Sequence, residues 1–372
     1  MGAGDERRAV LGLWGTPGLG LVALASIREK YPDLSELADE RPLRWLSSVA
    51  LKAPAREGLL GLSGTLGQHA DQILDRCDVN RIAVCFPDDF TYPRGLAAIS
   101  NAPPLLFYQG RGDRPNGPRR LAIVGSRSFE PNFIGAARAL AMQLATKLTL
   151  VSGAARGIDQ LCHSAALDAK GETWAFMGGA LDTLDRSQAI IAPKIIDDGG
   201  TVFSEFPPGV RAEKATFPRR NRLIAGASDA VLLMRASPDS GALITVEHAI
   251  EQGKKVMAVP GQIDHLTAVG PNALIRSAHA TCVTCAEHVF TDMGLTVTTT
   301  PEPVVLGEPV DLSTLSSNAR HAFEVLTRSP VDFDSLLGLA RPLSSGMLAS
   351  ALVELELAGL LVQKPGRRYE RR

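Results

Sequence analysis

The sequence predicts an α/β protein: a doubly wound parallel sheet, preceded by a small helical module and followed by a winged helix. Two observations carry this. From Leu121 to about Phe290, short apolar runs at 121–124, 148–151, 173–177, 200–203, 230–234 and 255–259 alternate with helical stretches. Such alternation calls for parallel strands joined by right-handed crossovers. The last sixty residues instead read as three helices and a hairpin, the layout of a winged helix.

A chain of 372 residues is long for one core, so several domains are expected: 1–80, 81–295, a linker at 296–312, and 313–372. The formal charge of −1 argues against a generally sticky nucleic-acid binder but leaves room for local patches. Five cysteines do not suggest a disulfide framework. No apolar run reaches the roughly 18 residues of a membrane span, and Met1 to Val10 has no signal-peptide layout. A soluble cytoplasmic protein without a membrane partner is expected.

Residues 8 to about 78 form the helical module, with helical spacing at Leu19–Lys30 and Gln68–Cys77. Gly15-Thr-Pro-Gly-Leu-Gly20 has the form of a helix-hairpin-helix turn, which can hold a DNA phosphate. It contains no basic residue, which favours a plain helix–helix connection. An apolar strand at Ile82–Phe86 and the aromatic residues Phe90, Tyr92, Phe107 and Tyr108 mark a connecting segment to Gly110. In the main domain, helices are expected at about 132–146, 158–170, 187–198, 219–226, 242–252 and 271–278. Thr296–Pro309, rich in Thr, Pro and Val, reads as linker. The winged helix then places helices near 316–327, 332–339 and 344–358 and a hairpin around Lys364-Pro-Gly366. Its third helix has no Lys or Arg and carries Glu354 and Glu356, so a protein contact suits it better than a phosphate-lined groove. The tail from Gly366 nets +3 and reads as a solvated charge run.

Two consecutive strand ends stand out. Leu-Ala-Ile-Val124 stops at Gly125-Ser126-Arg127, and Leu148–Val151 stops at Ser152-Gly153, followed by Ala-Ala-Arg156-Gly-Ile-Asp159. Small residues let a backbone approach a ligand, and the free N–H groups of a helix start favour an anion. Both turns would lie at the carboxyl edge of one sheet, where open α/β sheets bind ligands. Arg127 and Arg156 could equally pair with surface carboxylates, and Asp159 could cap its helix. A second constellation is Lys214 with Phe217-Pro-Arg219-Arg220-Asn221-Arg222; Arg211–Arg222 nets +4. Cations around an aromatic ring suit a nucleotide polymer, phosphates to the charges and a base to the ring. Spaced three apart, Lys214 and Phe217 can share a side of a turn or helix. Third, Ser240-Gly241 opens a helix that can bind a phosphate, with Glu247 inside that helix as a candidate general base. No dinucleotide fingerprint or P-loop lysine is present, Cys282-Val-Thr-Cys285 lacks a second pair for zinc, and the histidines show no pattern. No cofactor or metal is therefore expected.

Taken together, these strings resemble the DprA/Smf family, the DNA-processing proteins of bacterial transformation. The carriers are Ile-Val-Gly-Ser-Arg127, Ser-Gly-Ala-Ala-Arg-Gly-Ile-Asp159, Ser204-Glu-Phe-Pro, Phe-Pro-Arg-Arg-Asn-Arg-Leu-Ile-Ala-Gly226, Ser-Gly-Ala-Leu-Ile-Thr245, Val-Pro-Gly261 and Asn272-Ala-Leu-Ile275, in the family's order. The resemblance implies an extended Rossmann-like domain after a SAM-like helical domain. It also implies a homodimer that binds and protects single-stranded DNA and helps load the recombinase RecA. By motif position, Arg127 and Arg156 match the family's basic contacts. Lys214 and Phe217 match its phosphate-contacting lysine and base-stacking aromatic, and Gly125, Ser126, Ser152 and Gly153 its phosphate-approaching backbone. Arg235, Pro271 and a missing Tyr-Pro after Asp182 depart from the pattern and bear on the groove's fine shape. Two other readings stay open. One is a small-nucleotide enzyme similar to the phosphoribohydrolases of cytokinin activation, using Ser240-Gly241 and Glu247. The other is an adaptor whose winged helix does the work.

Overall fold

The structure is a computed structural model that describes residues 3–114, 117–296, 315–326, 330–358, 360–364 and 366–371. The chain divides into two units, Met1–Val297 and Thr298–Arg372. All but residue 296 of the expected linker lies outside the described residues.

The first unit begins with helices α1 (Ala3–Trp14), α2 (Leu21–Lys30), α3 (Pro42–Trp45), α4 (Ala53–Leu60) and α5 (Leu66–Val79). Helix α1 is additional to the sequence reading. Its mixed charges mask a buried stripe of Ala9, Val10, Leu13 and Trp14, which packs in one cluster with Ile27, Leu66 and Ile73. That cluster runs on into Phe107, Ala175 and Val202 of the sheet domain, and the Trp14 indole donates to Glu205 O at 2.8 Å.

The sheet domain follows as β1 (Ala83–Cys85), α6 (Arg94–Ala97), β2 (Leu106–Gly110), β3 (Arg120–Val124), α7 (Ile134–Ala145), β4 (Thr149–Ser152) and α8 (Ile158–Asp168). It continues with β5 (Thr173–Phe176), α9 (Arg186–Asp197), β6 (Thr201–Ser204), α10 (Thr216–Gly226), β7 (Ala230–Leu233) and α11 (Ala242–Glu251). It ends with β8 (Lys255–Ala258), α12 (Val269–Arg276), β9 (Thr281–Cys282) and α13 (Ala286–Asp292). Its nine strands run β1-β2-β6-β5-β4-β3-β7-β8-β9. From β6 to β9 neighbours are parallel, but β2 pairs antiparallel with both β1 and β6. The expected parallel sheet thus carries an antiparallel edge that the sequence reading did not contain. Leu121 and Ile123 join the core under α7, α8 and α13, while Ala122 and Val124 join the core with residues of α10 and α11. Both faces of the sheet are therefore covered, as parallel strands require.

The chain order reverses at β3, which lies between β4 and β7. In a doubly wound sheet the crevice opens beyond the carboxyl ends of the strands at such a reversal.

The second unit contains α14 (Ser317–Val325), β10 (Val331–Asp332), α15 (Phe333–Leu339), α16 (Ser345–Leu357), β11 (Leu361–Lys364) and β12 (Arg368–Arg371). Its strands order β10-β12-β11, and Phe323, Leu336, Leu348 and Leu352 fill its core. The acidic residue Glu354 on the third helix accepts from both N and Oγ of Ser316, each at 2.6 Å. It thus ties the start of α14 to α16. Among the described residues no helix is long and apolar enough to cross a membrane.

Candidate nucleic-acid interface

At the reversal of strand order lies a cleft of about 470 Å3. Its walls come from the turn after β3 (Gly125, Ser126, Arg127), the segment opening α10 (Lys214, Phe217) and the turn after β7 (Asp239, Ser240, Gly241).

Local hydrogen bonds fix these turns. Ser126 N donates to Arg235 O at 2.7 Å, and Ile158 N donates to Ser126 O at 3.2 Å. The β3 turn is therefore laced to the end of β7 and to the start of α8. Gly157 has φ +98°, and a Cβ there would fall 2.4 Å from Ser126 O, so no other residue fits without moving the turn. The Asn221 side chain donates to Gly241 O at 3.1 Å, tying α10 to the start of α11.

Lys214 and Phe217 line the same cleft, as their spacing suggests. The Phe217 ring is half-buried, with the Arg127 guanidinium 5.3 Å and that of Arg220 5.8 Å from its centre. Arg127 and Lys214 are exposed and form no ion pair among the described residues. The cleft also holds two carboxylates, Asp159 and Asp239. Asp239 sits below its usual pKa because the Ser237 hydroxyl donates to it. Asp159 is no helix cap: it is buried and accepts from Gly153 N at 3.2 Å and Ala155 N at 3.3 Å. Burial raises its pKa while the Arg220 charge opposes. Burial also pulls Arg220 down to about 10, against the pull of Asp159.

Of the residues grouped with this site by sequence, Ser152, Gly153, Arg156, Arg219 and Arg222 do not line it. Arg220 does line the cleft but is buried, donating to Gly153 O at 2.6 Å and to Phe176 O, so it ties the ends of β4 and β5 together. Gly153 is needed for that approach, since a Cβ would meet the Arg220 guanidinium at 2.6 Å. Ser152 and Gly153 turn inward, the Ser152 hydroxyl donating to Ile123 O at 2.7 Å. Arg156 is exposed one residue beyond Ala155, which does line the cleft. Arg219 and Arg222 project from the opposite side of α10. Arg222 pairs in the interior with Glu205, and Arg219 lies 5.2 Å from the Phe206 ring centre. The run of positive charge is thus split by the helix: at 100° per residue, positions 217, 220, 221 and 224 share one face and 219 and 222 the other. Sequence reasoning did not include Asp239 and Ile244 in the site; both are lining residues.

The departures also find places. Arg235 is buried, its guanidinium stacked 3.4 Å from the Phe133 ring centre and paired with Glu130 at 3.3 Å, outside the cleft. Its backbone carbonyl is what holds Ser126. Pro271 is buried in α12 beside Asn272, whose side chain brackets Gly261 through N at 3.0 Å and O at 2.9 Å. Glu247 is exposed and does not line the cleft, which separates it from the phosphate and base roles considered together above.

Residues 83–294 match the family described as DNA recombination-mediator protein A, and residues 307–367 match the DprA winged helix domain. Protein Smf of Synechocystis is 30% identical, over 95% of this chain and 96% of its own length. The DNA processing protein DprA of Streptococcus pneumoniae is 37% identical, over 55% of this chain and 72% of its own. The X-ray structure of DprA from Streptococcus pneumoniae superposes with a TM-score of 0.58 at 29% identity, covering 78% of this chain and 99% of that one. A structure of DNA processing protein A from Helicobacter pylori, described for its single-stranded DNA binding mode, shares the fold with a TM-score of 0.51 at 22% identity. That likeness covers 57% of this chain and 95% of the other.

Proposed function

The chain belongs to the DNA recombination-mediator protein A family, the DprA/Smf proteins, and from this we propose that it binds single-stranded DNA in the sheet-edge cleft. One observation carries the reading: Arg127 and Lys214, two exposed cations that form no ion pair among the described residues, flank a half-buried aromatic ring at the reversal of strand order. Backbone phosphates take the charges, and an unpaired base takes the Phe217 face or the Arg127 guanidinium plane. Duplex DNA hides its base faces in the stack and offers the ring nothing. The role needs no bond-making step; the protein shields the strand and presents it to RecA during transformation, acting as a cytoplasmic homodimer.

The test is an electrophoretic shift comparing single-stranded with duplex DNA of equal length across a salt series. Preferential retention of the single strand, weakening as salt rises, is the expected result. Equal binding of both forms would remove the role given to Phe217.

A further inference from the structure

The turn Gly15–Gly20 has a property that its own residues do not reveal. It joins α1 to α2, and Gly20 is the N-cap of α2 in extended conformation, without a side-chain cap. The N–H groups of the first turn of α2 are therefore not satisfied by a capping side chain. A Cβ built on Gly20 meets nothing within 4 Å, so the approach is open. Gly20, Leu21, Val22 and Ala23 line a second cleft of about 520 Å3, together with Lys52, Arg219 and Arg222. The turn lacks basic residues, but the fold supplies them from elsewhere: Lys52 precedes α4, and both arginines come from the rear face of α10.

The arginines are incompletely neutralised. Glu205 Oε2 accepts from Arg222 Nη2, and Arg219 Nε lies 3.8 Å from Glu205 Oε1. Arg222 has 8% of its side chain exposed, and its Nη1 has no hydrogen-bond partner among the described residues. A buried guanidinium nitrogen is rarely left so, because the unmade bond carries a desolvation cost. Lys52 is exposed and forms no ion pair among the described residues. Among the described residues no carboxylate lines this cleft.

We propose that this cleft, between the α1–α2 turn and the rear face of α10, is a second phosphate site that takes the phosphodiester backbone of DNA. The inference rests on the single-strand reading above. Helix α10 is the wall common to both clefts, with Phe217 on one side and Arg219 and Arg222 on the other, so a strand leaving the first cleft reaches the second by crossing one helix. Free phosphate shares the chemistry and is distinguished below.

The test uses the full chain and fluorescence anisotropy with labelled oligothymidylates of roughly 6 and roughly 20 nucleotides, the range of single-strand site sizes. Two variants probe the site: Lys52→Ser/Arg219→Gln, and Val22→Glu. Val22 is 76% exposed. A carboxylate there lies at the N-terminus of α2, where it favours the helix while repelling phosphate. Both variants are expected to bind the short strand as wild type does. On the long strand their log–log salt slope should be shallower by about 0.7 for each phosphate lost. An unchanged long-strand slope in both variants would overturn the proposal. So would variants that alter only the thermal shift caused by inorganic phosphate, since that marks a free-anion site. An Arg127→Ala/Lys214→Ala control separates the two readings: if it leaves short-strand binding intact, the first cleft has been misread, whatever the second does.

Discussion

Replacing Phe217 by leucine separates the two things its ring does. Leucine keeps apolar contact with Gly178, whose hypothetical Cβ lies 2.9 Å from the ring, but has no π face. Stacking of one base on an aromatic ring contributes about 1–3 kcal/mol. The ring already faces Arg127 at 5.3 Å, and an exposed cation–π contact of that kind contributes about 0.5–1 kcal/mol. A stacking base must displace or share that contact, so the net loss falls in the lower part of the range. About 1–2 kcal/mol, or roughly 5- to 30-fold in Kd, is expected. The assay is anisotropy with a labelled oligothymidylate and an abasic strand of the same length. Phe217→Leu should weaken the first and leave the second unchanged. Equal loss on both strands would refute stacking and reduce the ring to a support for Arg127.

Three further outcomes follow from the interior. Arg222→Met removes the buried hydrogen-bonded partner of the fully buried Glu205 carboxylate, leaving it only Arg219 at 3.8 Å, and should cost about 3–5 kcal/mol in urea denaturation, while Arg222→Met/Glu205→Gln should recover most of it. Gly157→Ala forces a Cβ against Ser126 O at a positive φ and should lower stability by more than about 1 kcal/mol, with weaker strand binding as the turn shifts. The third concerns His163, which is buried. Its Nδ1 lies 2.8 Å from Thr173 Oγ1, which itself donates to Leu150 O, so Nδ1 carries the proton and Nε2 has no partner among the described residues. Burial, with the Arg220 charge, lowers its pKa from 6.5 to about 3. Below pH 6.5 the unfolded chain takes up a proton that the folded one refuses, so this contribution to stability is present above 6.5 and lost toward 3. Between those two values the wild type should lose up to about 1.4 kcal/mol per pH unit more than His163→Gln does in denaturation at stepped pH.

The strand–helix alternation was legible because buried parallel strands are continuous apolar runs, and β3, β4 and β7 read that way. Strand β2 was not: Leu106–Gly110 mixes apolar, aromatic and polar residues, and its antiparallel pairing depends on β6, far along the chain. Helix α1 hid its apolar stripe behind Asp5, Glu6, Arg7 and Arg8. At the site, the turns around Arg127 and the Lys214–Phe217 spacing were readable, since local rules set them. The fates of Arg219, Arg220 and Arg222 were not, because a run of arginines shows charge and conceals which guanidinium meets Glu205 or Gly153 in the interior. The inward turn of Ser152 and Gly153 likewise depends on Asp159 and Arg220 closing over them.

The most direct measurement is the salt dependence of single-strand affinity for Arg127→Ala/Lys214→Ala beside the wild type, with urea denaturation showing both equally folded. Each phosphate contact contributes about 0.7 to the log–log slope, so the double variant should be shallower by about 1.4 and weaker on every sequence. A variant that keeps the wild-type slope and affinity would contradict the placement of the strand in this cleft.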